Sequence, residues 1–303
     1  MVRLSIDRAV RSSWFGRRSV WLRKAAPGLY TGLRSLYRRV VDRGSGRLSP
    51  YQHRALEEFL SETPSAMVAA GILEIGSDSS ALVLGELVAR GAQRVVGINP
   101  ILDGETIARI DSELGPVARV AAVDLLSAEL EAESFGAILS IAVLEHMLDL
   151  DACLAEMYRL LVPGGRVHAA FGPIWSSSLG HHVFVDVNGV QLRHWDPRLN
   201  PIPDHGHLLM TRDEMLAYIA PRQDEAVALA AVRWIYDGND LNRLFYEDYV
   251  AAFERSPFVI ERITPERESV PSRRLSTLQA AYPDRAVFDV RNAVAVLSKP
   301  HGL

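Results

Sequence analysis

The sequence predicts an α/β protein built on a doubly wound, mostly parallel sheet. Three observations support this fold class: short apolar runs recur along residues 72–171, each run ends in a small or polar residue, and helical segments separate the runs. Strands buried on both faces have this continuous apolar character, and parallel strands need long crossover connections. Ligands of such sheets bind at the carboxyl ends of the strands, so the residues that follow the strands form the candidate site.

Composition and charge limit the class of protein further. A chain of 303 residues with 48% hydrophobic residues can bury a large core, and no apolar run reaches the ~18 residues that a membrane-spanning helix needs. The single cysteine, Cys153, cannot form a disulfide within the chain, which favours a reducing compartment. We therefore expect a soluble, cytoplasmic protein.

Residues 1–48 are predicted to form a basic, amphipathic helical extension. Residues 1–47 contain many arginines but only two acidic residues, Asp7 and Asp42, and apolar residues recur there at helical spacing. Three interpretations remain open: a helix packed on the core, a helix on a membrane surface, and a cleaved targeting peptide over the first ~25 residues. A peripheral membrane protein is thus one alternative function. Nucleic acid is not an expected partner, because no basic domain accompanies the segment.

Local signals place the first elements in order. A cluster of breaker residues over 44–50 ends the basic segment, and a helix is predicted over 51–60. The five apolar runs predict strands over 72–76, 95–99, 120–124, 137–141 and 163–171. Between them, the periodicity predicts crossover helices over 82–89, 103–114 and 150–161.

After residue 171 the pattern changes. Residues 172–240 read as an inserted cap or lid, with a hairpin predicted around Asn188-Gly189. Thr211 and Glu214 have capping-box spacing and predict the start of a helix. A further helix is predicted over 241–253, and two late strands over 258–263 and 293–297.

Three motifs connect this order of elements with a known family. They are Ile-Leu-Glu-Ile-Gly over 72–76, Leu-Glu-His over 144–146, and Pro-Gly-Gly over 163–165. With them, residues 51–300 resemble the class I S-adenosylmethionine-dependent methyltransferases, in particular the small-molecule branch. The resemblance implies a seven-stranded sheet closed by the two late strands, and a methyltransferase domain over 49–303. It also implies an enzyme with S-adenosylmethionine as cofactor. We expect O-methylation of a small molecule, which includes glycosylated and lipid metabolites, and transfer to nitrogen or carbon is the less favoured alternative.

The same resemblance implies the cofactor-binding residues. Gly76 would permit positive φ and close approach of a ligand, and buried Glu74 would need donors, which we expect to be backbone amides. Asp124 would accept from the adenine amino group while the backbone N–H of Leu125 donates to the ring. The full implied set is Glu74, Gly76, Ser77, Asp78, Asn99, Asp124, Leu125 and Ser140.

Two departures from the family pattern leave an alternative open. Residues 77–80 have side chains where the family has further glycines, and Asn99 stands where an acid would bind both ribose hydroxyls. The alternative is a catalytically inactive, methyltransferase-like partner of another protein. A nicotinamide enzyme is disfavoured, because Gly76 lacks the Gly-x-Gly-x-x-Gly continuation.

Histidines are the candidates for handling the methyl acceptor. His146 follows the fourth strand, and His181 and His182 lie in a histidine-rich part of the insertion. A histidine titrates near neutral pH, so each could act as a general base or orient a substrate; a purely local hydrogen-bonding role is the other interpretation of His146. The histidine spacings match no compact metal motif, so no metal site is predicted. The acceptor itself and the oligomeric state are not encoded in any motif.

Overall fold

A computed structural model describes residues 47–301 of the protein. The predicted basic extension lies outside these residues, except for Arg47 and Leu48. Within the described part of the chain, no helix is both long and apolar enough to cross a membrane.

The described chain alternates strands and helices. The strands are β1 (Ile72–Ile75), β2 (Val95–Ile98), β3 (Ala118–Ala121), β4 (Phe135–Ile141), β5 (Leu161–Phe171), β6 (Phe184–Val187), β7 (Val190–Arg193), β8 (Val259–Arg267) and β9 (Val290–Ser298). The α-helices are α1 (Pro50–Glu62), α2 (Ser65–Ala69), α3 (Leu82–Ala89), α4 (Gly104–Leu114), α5 (Leu150–Leu160), α6 (Gly206–Leu209), α7 (Arg212–Ile219), α8 (Glu225–Val232), α9 (Tyr246–Arg255) and α10 (Ser272–Ala281). Short 3₁₀ turns follow α4, β3 and β4, at Gly115–Val117, Leu125–Ser127 and Leu144–His146, and a π-helical turn, Arg233–Asp237, follows α8.

Seven strands form one sheet in the order β3-β2-β1-β4-β5-β9-β8. Strands β1 to β5 run parallel, and β9 is antiparallel to β5. The predicted fold class is therefore confirmed. The chain order reverses between β1 and β4, where Ile75 pairs with Ile98 on one side and with Ser140 on the other. The carboxyl ends of these strands meet at this switch point, which is where such sheets bind ligands.

The described residues divide into two compact units. The first, called here the sheet unit, consists of residues 47–171, Ala251–Thr264 and 293–301. Its core holds the apolar faces of α1, α3 and the central strands, with Leu56, Phe59, Leu84 and Ile72 fully buried. Burial of these side chains supplies the main stabilisation, at roughly 1.5–3 kcal/mol for each large apolar side chain.

The second unit, called here the histidine-rich unit, consists of Gly172–Val250 and Pro265–Asn292. The hairpin β6–β7 packs on α8 in a separate core that includes Val185, Leu192 and Val227. Asn188 and Gly189 have φ values of 53° and 78°, as the predicted two-residue hairpin turn requires. Thr211 and Glu214 form the predicted capping box of α7.

Several predicted boundaries were wrong. The third strand ends at Ala121, because the Asp124 carboxylate accepts from Leu126 and Ser127 and starts a 3₁₀ turn instead. The helix predicted over 241–253 begins only at Tyr246, since Arg243 has a φ of 55° that no helix accommodates. Helices α2, α6, α8 and α10 were not predicted, although the side chain of Asp224 caps α8 and was a usable signal.

Candidate active site

Gly76 directly follows β1, and two features require glycine there: a positive φ and the lack of space for a Cβ. Its φ is 93°, which a residue with a Cβ rarely adopts, and its N–H donates to Ile98 O at 2.8 Å. A Cβ at this position would also overlap Cγ2 of Val143, in the loop after β4. The expected positive φ is present, but the side of Gly76 where a Cβ would stand is filled by Val143.

Glu74 is a buried acid in the middle of β1. Its carboxylate accepts from the Ser77 hydroxyl at 2.5 Å, so the described structure gives it a side-chain donor rather than the backbone amides expected from the sequence. Burial raises the pKa of Glu74 to about 8, against the lowering effect of the Ser77 hydrogen bond. Glu74 is therefore mostly protonated at neutral pH.

Asp78 organises the loop between β1 and α3. One of its carboxylate oxygens accepts from the backbone N–H groups of Ser80 at 2.7 Å and Ala81 at 3.0 Å. Ala81 has a φ of 54° and provides no side-chain cap for α3. Asp78 thus supplies the negative charge that favours a helix N-terminus.

Asn99 joins the ends of β1 and β2. Its amide nitrogen donates to Ser77 O at 2.9 Å, and its amide oxygen accepts from Ile101 N–H at 3.2 Å. An aspartate could not make the first of these bonds, because a carboxylate has no donor. The amide that departs from the family pattern therefore holds the loop that begins at Ser77.

Asp124 and Leu125 lie after β3. Asp124 is exposed, and one carboxylate oxygen accepts from Leu126 N–H at 3.0 Å and Ser127 N–H at 3.1 Å. Leu125 is buried beside it. The capping bonds fix the direction of the carboxylate and use one of its two oxygens.

Ser140 lies near the carboxyl end of β4, in register with Ile75 of β1 and Ala169 of β5. It is fully buried, and its hydroxyl oxygen has no hydrogen-bond partner among the described residues. Buried hydroxyls are normally hydrogen-bonded, so an unpaired one at the switch point fits a site for a polar ligand.

His146 closes the 3₁₀ turn Leu144–His146 after β4. Its side chain is exposed, and its backbone N–H donates to Val143 O at 2.8 Å. Since Val143 packs over Gly76, the turn that carries His146 is anchored on the loop after β1.

His181 and His182 are both buried in the histidine-rich unit but differ in tautomer. Nδ1 of His181 accepts from Val183 N–H at 3.1 Å, so its neutral ring carries the proton on Nε2. Burial lowers the pKa of His181 well below its usual value. In His182, Nδ1–H donates to Gly180 O at 2.8 Å, which leaves the lone pair on Nε2. In each case the backbone partner assigns the tautomer: the Val183 N–H is a donor to His181, and the Gly180 carbonyl is an acceptor from His182.

His207 belongs to the same histidine-rich part of the insertion, which the sequence suggests for substrate handling, but it is not among the candidate site residues. His207 donates from Nε2 to Trp175 O at 2.7 Å, and burial lowers its pKa to about 3. Its ring lies 5.5 Å from that of His181 in an edge-on arrangement. His181 and His207, whose pKa values are lowered by burial, are therefore neutral at physiological pH and act as buried hydrogen-bonding groups.

Comparison with known proteins agrees with this architecture. A family model described as a methyltransferase domain matches residues 73–169, and no curated protein matches the chain. Similar solved structures include a Listeria monocytogenes protein assigned as an S-adenosylmethionine dependent methyltransferase. Its sequence is 12% identical, the TM-score is 0.50, and the match covers 84% of this chain and 100% of that chain. The [4+2]-cyclase SpnF has 16% identity, with 90% of this chain and 95% of that chain covered, and a TM-score of 0.50.

At these sequence identities the two structures establish only the fold. The family model adds that residues 73–169, the central part of the chain, match a methyltransferase domain. The fold around these residues is the one that class I S-adenosylmethionine-dependent methyltransferases have. A methyltransferase domain of this kind implies S-adenosylmethionine as the methyl donor. The Ser140 hydroxyl, unpaired among the described residues, and the exposed Asp124 carboxylate lie at the ends of β4 and β3, with β1 and β2 between them.

Proposed function

We propose that this methyltransferase transfers the methyl group of S-adenosylmethionine to an oxygen atom of a small molecule. One observation carries the cofactor-binding part of the proposal. The sheet order β3-β2-β1-β4 brings Asp124, Asn99, Gly76 and Ser140 to successive strand ends, all on the same edge of the sheet. A nucleoside lying across these ends would meet an acid, an amide and a hydroxyl in turn.

Most of the cofactor residues have a proposed role that agrees with their present contacts. Asp124 and the backbone of Leu125 bind the adenine, and Asn99 binds the ribose with the amide hydrogen and lone pair that its loop bonds leave. Asp78 accepts from the ammonium group. Ser77 links this end of the site to buried Glu74. The final members of the proposed set are Gly76 and Ser140.

S-adenosylmethionine supplies an electrophilic methyl group on a sulfonium, so the protein has only to orient the acceptor, exclude water and receive a proton. For a hydroxyl acceptor we propose His146 and His182. His182 carries its lone pair on Nε2, the atom that can take a proton. His181 has the opposite tautomer, so its proposed contribution is to donate its Nε2–H to the acceptor.

Replacing Asp124 with Asn tests the adenine site. The amide oxygen can still cap the 3₁₀ turn at Leu126, but the carboxylate charge and one acceptor are lost. We expect the Kd for S-adenosylhomocysteine, measured by calorimetry, to rise about tenfold, as for loss of a hydrogen bond to a charged group. The control is Asp224→Asn, which makes the same change at the cap of α8. Equal affinities of the two variants would contradict the assignment.

A methyl-transfer assay tests the acceptor residues and the oxygen acceptor together. With tritium-labelled S-adenosylmethionine and a panel of hydroxyl, amine and activated-carbon compounds, we expect label on hydroxyl compounds. His146→Ala and His182→Ala should each lower kcat about 100-fold, which is the lower end of the rate enhancement that a general base provides. The affinity of each variant for S-adenosylhomocysteine should stay within about twofold of the wild-type value. His53→Ala, at an exposed position of α1, is the control. Label only on nitrogen or carbon refutes O-methylation, and unchanged kcat in both variants refutes the histidine roles.

A further inference from the structure

The histidine-rich unit contains a cavity of about 440 Å³ that none of the predicted site residues lines. Two segments distant in sequence form it, 178–205 and 268–291, and both belong to this unit. Its volume lies in the range of small-molecule sites, ~300–1,000 Å³.

One wall of the cavity is tied together by a buried acid. Both carboxylate oxygens of Glu268 accept from Ser178, at 2.7 Å from its backbone N–H and 2.7 Å from its hydroxyl. Arg291 donates to the same carboxylate at 2.7 Å. The bonds to Ser178 join the two segments, and Arg291 offsets the negative charge of Glu268. This wall is therefore held in shape before any ligand binds.

Arg274 contributes a positive charge that this network does not use. Its half-buried guanidinium has no hydrogen bond or ion pair within residues 47–301. Arg274 lies in the first turn of α10, which has no acidic residue there and no side-chain cap from Pro271. An uncapped helix start and an unpaired guanidinium both attract an anion. The exposed Asp204 is the opposing charge on the cavity wall.

His205 provides a second, independent feature. It is 2% exposed, and Nε2–H donates to Phe288 O at 3.0 Å. Its other nitrogen, Nδ1, has no partner among the described residues, although His205 lines the cavity. In this tautomer Nδ1 is an acceptor, and a buried acceptor without a donor costs about 1–3 kcal/mol. A hydroxyl of a ligand would satisfy it.

Trp195 supplies an apolar surface at the same cavity. Its side chain is 57% exposed, with His194 edge-on to it at 4.8 Å between ring centroids. Exposed indole faces stack well on flat rings and on the apolar faces of sugars.

We propose that this cavity binds a small anionic molecule that carries at least one hydroxyl group on a ring. The carboxylate or phosphate of the ligand pairs with Arg274 at the start of α10, a ligand hydroxyl donates to Nδ1 of His205, and the ring lies against Trp195. The proposal is independent of the methyl-transfer roles assigned above, because it concerns binding to residues outside that set.

Calorimetric titration of the full chain without cofactor tests the site. The probes are 4-hydroxybenzoate for a carboxylate and glucose 6-phosphate for a phosphate, with phenol and glucose as their uncharged counterparts. We expect at least one acidic probe to bind at least about tenfold more tightly than its counterpart, and the two probes to show which anion is preferred.

Two arginine variants distinguish binding at this cavity from non-specific attraction of anions to positive charge on α10. Arg274→Gln should weaken binding of the acidic probe about tenfold or more. Arg273→Gln is the matched control: Arg273 is the exposed neighbour on α10 and does not line the cavity, so binding should stay within about twofold. His205→Asn, which tolerates the φ of 56° at this position, should weaken binding severalfold. Absence of binding by both acidic probes, or equal loss in Arg274→Gln and Arg273→Gln, overturns the proposal.

Discussion

Gly76→Ala is expected to lower the free energy of unfolding by about 2–6 kcal/mol. About 1–3 kcal/mol comes from placing a Cβ at a φ of 93°. A similar amount, about 1–3 kcal/mol, comes from the overlap with Val143. Because the loop after β1 must move to relieve this overlap, we also expect the Kd for S-adenosylhomocysteine to rise at least about tenfold. Chemical denaturation and calorimetry measure the two effects.

The chain offers a closely matched control for this variant. Gly91 has a φ of 92°, but a Cβ there would have no atom within 4 Å. Gly91→Ala therefore carries the backbone strain alone and should cost about 1–3 kcal/mol without changing cofactor affinity. Adding Val143→Ala to Gly76→Ala should restore the part of the lost stability that comes from the overlap with Val143. Equal destabilisation by the two alanine variants would show that the Val143 contact is irrelevant.

Glu74→Gln is expected to change how stability depends on pH. The pKa of Glu74 is about 8 in the folded protein, against a usual value of 4.5. Between these values the folded state holds a proton that the unfolded state has lost, so stability falls as pH rises from about 5 to about 8. Glutamine keeps the shape and stays neutral. The variant should therefore gain about 3–5 kcal/mol over the wild type between pH 5 and pH 9.

The measurement is denaturant unfolding of both proteins at each pH unit from 5 to 9. Only the difference between wild type and variant is used, because other groups titrate equally in both. Glu129→Gln makes the same chemical change at an exposed position and should follow the wild-type curve. Parallel curves for wild type and Glu74→Gln would mean that Glu74 is already charged in the folded protein.

Much of the sheet could be predicted from the sequence, because its signals are local. Apolar runs identified the five parallel strands, and breaker residues identified most crossover helices. The hairpin turn at Asn188-Gly189 followed from the backbone preferences of two residues. The third strand was placed too late, because the sequence around Asp124 satisfies the apolar pattern while its carboxylate starts a turn.

The candidate site was only half predictable. Its residues follow from strand order, so the sequence could name Gly76, Asn99 and Asp124. Their partners could not be named, because each polar side chain in a loop has several competing donors and acceptors of similar energy. Asn99 was expected to be a weakened ribose ligand, and the structure shows that it also holds Ser77 in place.

The sequence by itself determined the fold class, the order of the elements along the chain and the types of side chain that follow the strands, since periodicity and turn chemistry depend on near neighbours. The tertiary structure alone decided that Val143 covers Gly76, that His181 and His182 have opposite tautomers, and that Arg274 and His205 share a cavity. These features join residues far apart in the chain. They depend on which packing arrangement buries the most apolar surface while satisfying its polar groups, and no local pattern records that outcome.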